Sequence, residues 1–299
     1  MAQNVERAKM RLDNIQSIEP LLGSMRTISM GTWQMALNKI AKINQYEAFY
    51  NQVLYEILPN IKLSSFRSKR SEKQEFTQIA DTIILIIGSE RGLCGKFNEK
   101  LLNEVLGWLG TQNFLSYEIW IMGSRMIREL ERKNIDFTWR QQLPTGEVPS
   151  IKSAFLLSQN WLDQYETNAF NHLVVVNNKL SSGNRYEFSK IDLLPHQMHS
   201  PYQLNAANEK KWPPPIIETD PKGIFQKVIQ YEIATNLFRA LLESAAAEHA
   251  SRYNLMQDAK NNAEEIIEDL QLVINAERKR KITQDIQELA SAAGLLDNT

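Results

Sequence analysis

The chain has 299 residues, of which 43% are hydrophobic and 23% charged, a composition that excludes collagen-like and largely disordered proteins. Its formal net charge of -1 gives no general attraction to nucleic acid or anionic lipid. Charges of both signs near Met1, no long apolar run and a single cysteine, Cys94, predict a cytoplasmic chain without a secretory signal or a membrane-inserted segment.

The first 57 residues predict one long helix, because apolar residues recur at spacings of three, four and seven. We expect Pro20 and the nearby Gly23 to kink this helix. Pro59 and Asn60 should end it, and the polar stretch between residues 64 and 75 predicts a loop.

The middle of the chain alternates between strand and helix patterns, as in an α/β domain. A β-branched run at residues 83–87, ending at Gly88, is typical of a strand buried on both faces of a parallel sheet. Further strands are predicted at 117–122 and 173–177, an edge strand at 185–194, and helices at 97–109, 124–133 and 150–165. Residues 195–221 hold six of the ten prolines and predict an irregular connection.

The last part of the chain, from Lys222 to about Leu296, contains no proline and predicts one helix about 110 Å long. Apolar residues alternate at spacings of three and four in its middle, forming the predicted seam of a coiled coil: Met256, Ala259, Ala263, Ile266, Leu270 and Val273. Two long terminal helices can bury such seams only against each other, which predicts an antiparallel coiled-coil hairpin. The basic run 278–281 interrupts the seam, either as a solvated turn or as a contact with a partner.

The candidate enzyme and metal sites are incomplete. The segment from Gly88 to Lys96 follows a strand and opens a helix, but Glu90 and Phe97 replace residues that a phosphate-binding loop requires. Cys94 could be a nucleophile, although a packing role is favoured. His196 and His199 have no third ligand at zinc-site spacing. We therefore expect no catalytic site, no cofactor and no metal in this chain.

Three stretches resemble the gamma subunit of F-type rotary ATP synthases. The first is the loop Ser89-Glu90-Arg91-Gly92-Leu93-Cys94-Gly95, where the family has Ser-Asp-Arg-Gly-Leu-Cys-Gly. The second comprises Glu248, Ala250, Arg252, Met256, Ala259 and Asn262-Ala263, and the third comprises Asn275, Arg278 and Ile282-Thr283-Gln284-Asp285. Met25-Arg26 resembles a Met-Lys pair of the family, whereas the stretch around Pro20 and Gly23 departs from it.

The resemblance implies a non-catalytic central-stalk rotor subunit that couples proton or sodium-ion translocation through a membrane ring to ATP synthesis or hydrolysis. Its fold would be a long antiparallel coiled-coil hairpin with an inserted Rossmann-like α/β domain. The corresponding domains are 1–60 and 222–299 for the two coiled-coil helices, 76–200 for the α/β domain and 201–221 for the Pro-rich connection. The alternative is a gamma-like coiled-coil scaffold without rotary function.

The family also implies partners: the alpha and beta subunits of a catalytic hexamer, the epsilon subunit and the membrane c-ring. Nucleic acid is not expected as a partner. The complex would lie peripherally on the inner face of the cell membrane. The residues expected to contact the beta subunits are Arg278, Thr283, Gln284 and Asp285 near the C-terminus, with Arg26, Arg91 and Cys94 as further candidates. Trp212 could either anchor the α/β domain on a neighbouring subunit or pack locally.

Overall fold

The computed structural model describes residues 2–61, 80–112, 114–145, 147–181, 185–195 and 216–292. In chain order its elements are α1 (Ala2–Ile57), a 3₁₀ turn (Leu58–Asn60), β1 (Thr82–Ile87), α2 (Phe97–Leu109), β2 (Tyr117–Met122), α3 (Ser124–Arg132), β3 (Trp139–Gln141), α4 (Ile151–Glu166), β4 (His172–Leu180), β5 (Tyr186–Leu194) and α5 (Pro221–Ala292). The loop predicted at 64–75, His196, His199 and Trp212 lie outside the described residues. Long terminal helices and a central α/β sheet confirm the predicted fold class.

The sheet has the strand order β3-β2-β1-β4-β5. β1 is parallel to both β2 and β4, so the loop after β1 lies at the carboxyl edge of the parallel sheet. β5 is antiparallel to β4, which confirms an edge strand at 185–194. The order places β1 between two neighbours, and this explains why its residues are uniformly buried and uniformly apolar or β-branched.

β3 is a strand that the sequence analysis missed. It has only three residues and pairs with the end of β2. Its first residue, Trp139, packs against Trp120 and Trp161, with ring centroids 5.5 and 5.7 Å apart. A strand this short has no readable periodicity, so its existence depends on this tertiary aromatic cluster.

Alternate residues of β1 face two different cores. Ile83, Leu85 and Ile87 lie in a core with α4 and α5, which contribute Trp161 and Leu237 among others. Ile84 and Ile86 pack on the other face against α2 and α3. The helix α5 is therefore part of the α/β core over a portion of its length, in addition to its pairing with α1.

The chain divides into two compact units, Met30–Ser251 and Met1–Ser29 with Arg252–Thr299. The first contains the sheet together with parts of α1 and α5, where Arg239 pairs with Glu47 and also donates to Asn44 at 3.1 Å. The second, called here the terminal unit, contains the remaining parts of α1 and α5. The predicted domain boundaries stay predictions.

Within the terminal unit, two contacts between α1 and α5 show the relative direction of the two helices. Arg26 donates to Gln257 at 2.5 Å, and Lys260 pairs with Glu19 at 3.2 Å. Hydrogen bonds to Glu264 and then to Glu19 raise the pKa of Lys260. As the residue number rises along α1 it falls along α5, so the two helices are antiparallel.

The helix α1 continues without interruption through Pro20. The carbonyl of Pro20 accepts a hydrogen bond from the Ser24 hydroxyl at 3.0 Å, and the carbonyl of Gly23 accepts one from Thr27 at 3.1 Å. Side-chain hydroxyls thus bond to backbone carbonyls around the proline. The predicted kink stays a prediction, but Pro20 does not divide α1 into two helices.

Candidate functional site

The loop from Gly88 to Lys96, called here the β1–α2 loop, is held by Ser89, which is fully buried. The Ser89 amide donates to Asn98 Oδ1 at 2.9 Å, and Asn98 Nδ2 donates to the Ser89 hydroxyl at 2.7 Å. The same hydroxyl donates to the Arg91 carbonyl at 3.0 Å. Because backbone and side chain of Ser89 are both bonded, the start of the loop is fixed against α2.

Glu90 ties the same loop to two other elements. Its Oε2 accepts hydrogen bonds from the backbone amides of Ser124 at 3.0 Å and of Leu143 at 2.8 Å. Its Oε1 accepts a short hydrogen bond from the Ser124 hydroxyl. The carboxylate therefore lies at the first turn of α3, where negative charge is favourable. It also takes the amide donor that a bound phosphate would need there, which disfavours anion binding at this helix end.

The approach of the loop to α3 depends on Gly123. This residue has a φ of 104°, and a Cβ built on it would lie 2.7 Å from the Ser89 carbonyl oxygen. That oxygen accepts a hydrogen bond from the Arg125 amide at 3.0 Å. Any larger residue at position 123 would therefore push the β1–α2 loop away from α3.

The outer part of the loop presents an apolar side chain to solvent. Leu93 has a φ of 61°, a left-handed conformation that is uncommon for residues other than glycine, and is 55% exposed. Next to it lies a cleft of about 380 Å³, whose lining includes two glutamates, Glu99 and Glu129, and three arginines from α3: Arg125, Arg128 and Arg132. These arginines recur at spacings of three and four, so they share one face of α3. The loop and α3 together form an exposed surface with apolar and basic groups.

Cys94 lies inside the loop rather than on its surface, with an exposed fraction of 3%. Its thiol donates weakly to the Ser89 hydroxyl at 3.6 Å and packs in a cluster with Phe97, Ala247 and Tyr186. Burial raises the pKa of the Tyr186 phenol, and a hydrogen bond with Ser251 opposes that rise. The Ser251 hydroxyl also donates to the Cys94 carbonyl at 2.9 Å, so the loop is hydrogen-bonded to α5.

The terminal unit contains the other candidate residues. A groove of about 620 Å³ lies between the two helices and is lined by Val5, Glu6 and Lys9 of α1 and by Ile274, Glu277, Arg278, Arg280, Lys281 and Gln284 of α5. Thr283 donates to the Lys279 carbonyl and Gln284 to the Glu288 carboxylate, both at 3.0 Å along the same helix. All residues from Lys281 to Leu289 are exposed, so Thr283, Gln284 and Asp285 face solvent.

The predicted seam residues are buried to different degrees. Met256 and Ala263 are 2% and 8% exposed. Ala259, Ile266 and Leu270 are half-buried. Val273 is 53% exposed, and other large apolar residues of the same helix are between 51% and 70% exposed: Leu272, Ile282, Ile286 and Leu289. Burial therefore decreases along α5 towards its C-terminal end.

Sequence reasoning included Leu93 in the candidate loop but missed its exposed, left-handed conformation, and it missed the three arginines of α3 and the role of Glu90. The arginine spacing in residues 124–132 could have indicated a basic helix face. Nothing in the sequence links Glu90 to Ser124 and Leu143, because these residues are brought together only by the sheet. Among the described residues, no helix is apolar and long enough to cross a membrane and no cluster of three potential metal ligands occurs.

Comparison with known proteins covers almost the whole chain. A family model described as ATP synthase matches residues 4–296. The chain is 24% identical over 293 residues to the ATP synthase gamma chain of Fusobacterium nucleatum subsp. nucleatum, a match that covers 98% of this chain and 99% of that protein.

Solved structures share the fold at low sequence identity. A chain from the central stalk and c-ring of the Tetrahymena thermophila mitochondrial ATP synthase is 17% identical, with a TM-score of 0.54 over 80% of this chain and 99% of that one. A chain from the rotor of the Euglena gracilis mitochondrial ATP synthase is 13% identical, with a TM-score of 0.55 over 94% and 100% of the two chains. Because the family match extends from one terminal helix through the sheet to the other, the chain belongs to the ATP synthase gamma chain family.

Proposed function

We propose that this chain is the central-stalk rotor subunit of an F-type ATP synthase. It couples proton or sodium-ion movement through a membrane ring to ATP synthesis or hydrolysis on other subunits. The observation that carries the proposal is the antiparallel pair of long helices whose C-terminal end exposes apolar and basic residues, in a chain of the gamma family. A rotor needs such an end, because its surface has to contact a surrounding protein without being fixed to it.

The end of α5 is the proposed contact with the beta subunits. Arg278, Thr283, Gln284 and Asp285 are exposed, and Ile282 and Ile286 lie among them with 51% and 60% exposure. Large apolar side chains exposed together on a folded protein usually mark an interaction surface. Polar and charged groups on the same surface contribute to the orientation of a partner more than to the strength of its binding.

The β1–α2 loop is the proposed second contact with the catalytic subunits. Arg91 and Leu93 are exposed at its outer part, and the arginines of α3 border the adjoining cleft. The side chain of Cys94 is buried, so we assign it to packing within the loop rather than to a direct contact with a partner. Arg26 is hydrogen-bonded to Gln257, so we assign it first to the pairing of α1 with α5 and second to a partner contact.

The remaining proposed partners are the alpha subunits of the hexamer, the epsilon subunit and the c-ring. The solved relatives come from assemblies described as central stalk with c-ring and as rotor, which supports partners of this kind. We place the complex on the inner face of the cell membrane. In this assembly the chain transmits torque, and ATP is bound by other subunits.

Co-expression with alpha and beta subunits tests the proposal. A tagged copy of this chain should recover a complex with more than one alpha and one beta subunit per chain, and a bead attached to the chain should rotate during ATP hydrolysis. A scaffold without rotary function would assemble but leave the bead stationary. Failure to recover both catalytic subunits, or hydrolysis without rotation, would refute the proposed function.

A further inference from the structure

We propose that Glu90 is a positioning residue, whose carboxylate holds the exposed part of the β1–α2 loop in the conformation that contacts the catalytic subunits. The inference rests on the proposed function for the contact itself, and on the geometry of the loop for the role of Glu90. It concerns one side chain that connects three separate parts of the chain.

The first argument is the number of bonds that converge on Glu90. Its two carboxylate oxygens accept hydrogen bonds from the Ser124 amide, the Ser124 hydroxyl and the Leu143 amide. Ser124 begins α3 and Leu143 follows β3, so the carboxylate joins the loop to two elements that are 34 and 53 residues away in sequence. Hydrogen bonds to a charged acceptor are stronger than those between neutral groups.

The second argument is the position of Glu90 in the loop. It follows the buried Ser89, whose bonds to Asn98 fix only the inner side of the loop. It precedes Arg91 and Leu93, which are exposed, and Leu93 has a left-handed backbone conformation. A strained conformation persists only where surrounding bonds determine it, and the bonds of Glu90 hold the loop against α3 together with the bond from the Arg125 amide to the Ser89 carbonyl.

The third argument concerns what the loop covers. Cys94 belongs to the loop but faces inwards with 3% exposure, and it is the only cysteine of the chain. Its thiol can meet a solvent-borne reagent only when its contacts with Phe97 and Ala247 open, through movement of the loop or of the helices that carry these residues. A faster thiol modification in a variant of unchanged stability therefore reports local opening around this loop.

The test compares the reaction of an aromatic disulfide reagent with the wild-type full chain and with Glu90→Gln. Glutamine keeps the size of the side chain, and its carbonyl oxygen can still accept from the Ser124 and Leu143 amides. It removes the negative charge from these bonds, and its NH₂ group cannot accept the hydrogen bond that Glu90 Oε1 receives from the Ser124 hydroxyl. We expect Cys94 to be modified at least about tenfold faster in Glu90→Gln, because hydrogen bonds to a neutral acceptor are weaker than those to a carboxylate and the loop then opens more often. The melting temperature should change little.

Two further variants make the comparison specific. Glu131→Gln removes an exposed carboxylate from the same helix α3 and should leave the modification rate at the wild-type value. Glu90→Asp keeps the carboxylate and should stay closer to the wild type than Glu90→Gln. An unchanged rate in Glu90→Gln, or a rise matched by a general loss of stability, would overturn the positioning role.

Reconstitution with catalytic subunits supplies the functional readout. Glu90→Gln should assemble normally and lower ATP-driven turnover several-fold, with Glu90→Asp restoring part of it. Normal turnover despite faster modification of Cys94 would overturn the proposal. If the wild-type chain itself fails to assemble, the proposed function fails, while the thiol measurement on the isolated chain still decides whether Glu90 holds the loop.

Discussion

The sheet-containing unit and the terminal unit use the same types of apolar residue in different ways. All six residues of β1 are buried in the former. In the latter, Leu272, Ile286 and Leu289 are between 60% and 70% exposed. Buried aliphatic side chains stabilise the chain that carries them, whereas exposed ones contribute when a partner covers them. The comparison indicates that β1 contributes mainly to folding, and that the C-terminal end of α5 has a larger share in assembly.

The largest expected difference between the two units is in the response to isoleucine truncation. Ile84→Ala should lower the free energy of unfolding by about 2 to 5 kcal/mol, because Ile84 is fully buried between β1 and the helices α2 and α3. Ile286→Ala should change it by no more than about 0.5 kcal/mol, since Ile286 is 60% exposed. Urea denaturation of both variants measures this. Equal losses would show that the end of α5 is buried in the free chain.

A smaller contrast is expected within the terminal unit itself. Met256→Ala should destabilise the chain by about 2 kcal/mol or more, because Met256 is only 2% exposed. Val273→Ala should cost less than about 0.5 kcal/mol, since Val273 is 53% exposed. Amide hydrogen exchange in α5 measures how far each substitution promotes local opening of the helix pair. If the two variants exchange at equal rates, the seam extends past the point where burial decreases.

The smallest change in stability is expected at the proposed contact surface. Changing Arg278, Thr283 and Gln284 together to alanine should alter the unfolding free energy of the free chain by no more than about 0.5 kcal/mol per residue, since all three are exposed. ATP-driven turnover of the assembled complex should nevertheless fall several-fold. Gln271→Ala, an exposed change on the same helix, is the matched control. A large loss of stability, or unaltered turnover, would contradict the contact.

Within the sheet-containing unit, the sequence predicted some elements closely and missed others. The continuous apolar run of β1 and the helical spacing in α2 predicted the bounds of those elements to within one residue, because each pattern extends over several residues. β3 was missed because three residues carry no period. The left-handed conformation of Leu93 was also beyond prediction, since leucine has no local preference for it.

The candidate site was predicted less fully than the fold. Motif matching located the β1–α2 loop, but it could not show that Cys94 faces inwards, because the side that a loop residue occupies depends on distant contacts such as that with Ala247. The bonds of Glu90 were hidden for the same reason. For Thr283 and Gln284 the sequence pattern supplied the hypothesis, and their exposure keeps it open to experiment.

The pairing of α1 with α5 has a consequence for synthesis on the ribosome. Arg26 and Gln257, which are hydrogen-bonded in the terminal unit, are 231 residues apart in the chain. At about 5 to 20 residues per second, α1 is made roughly 10 to 50 s before the part of α5 that covers it. During that interval its apolar stripe has no native partner. The nascent N-terminal helix is therefore the segment for which a chaperone that binds apolar helices would matter most.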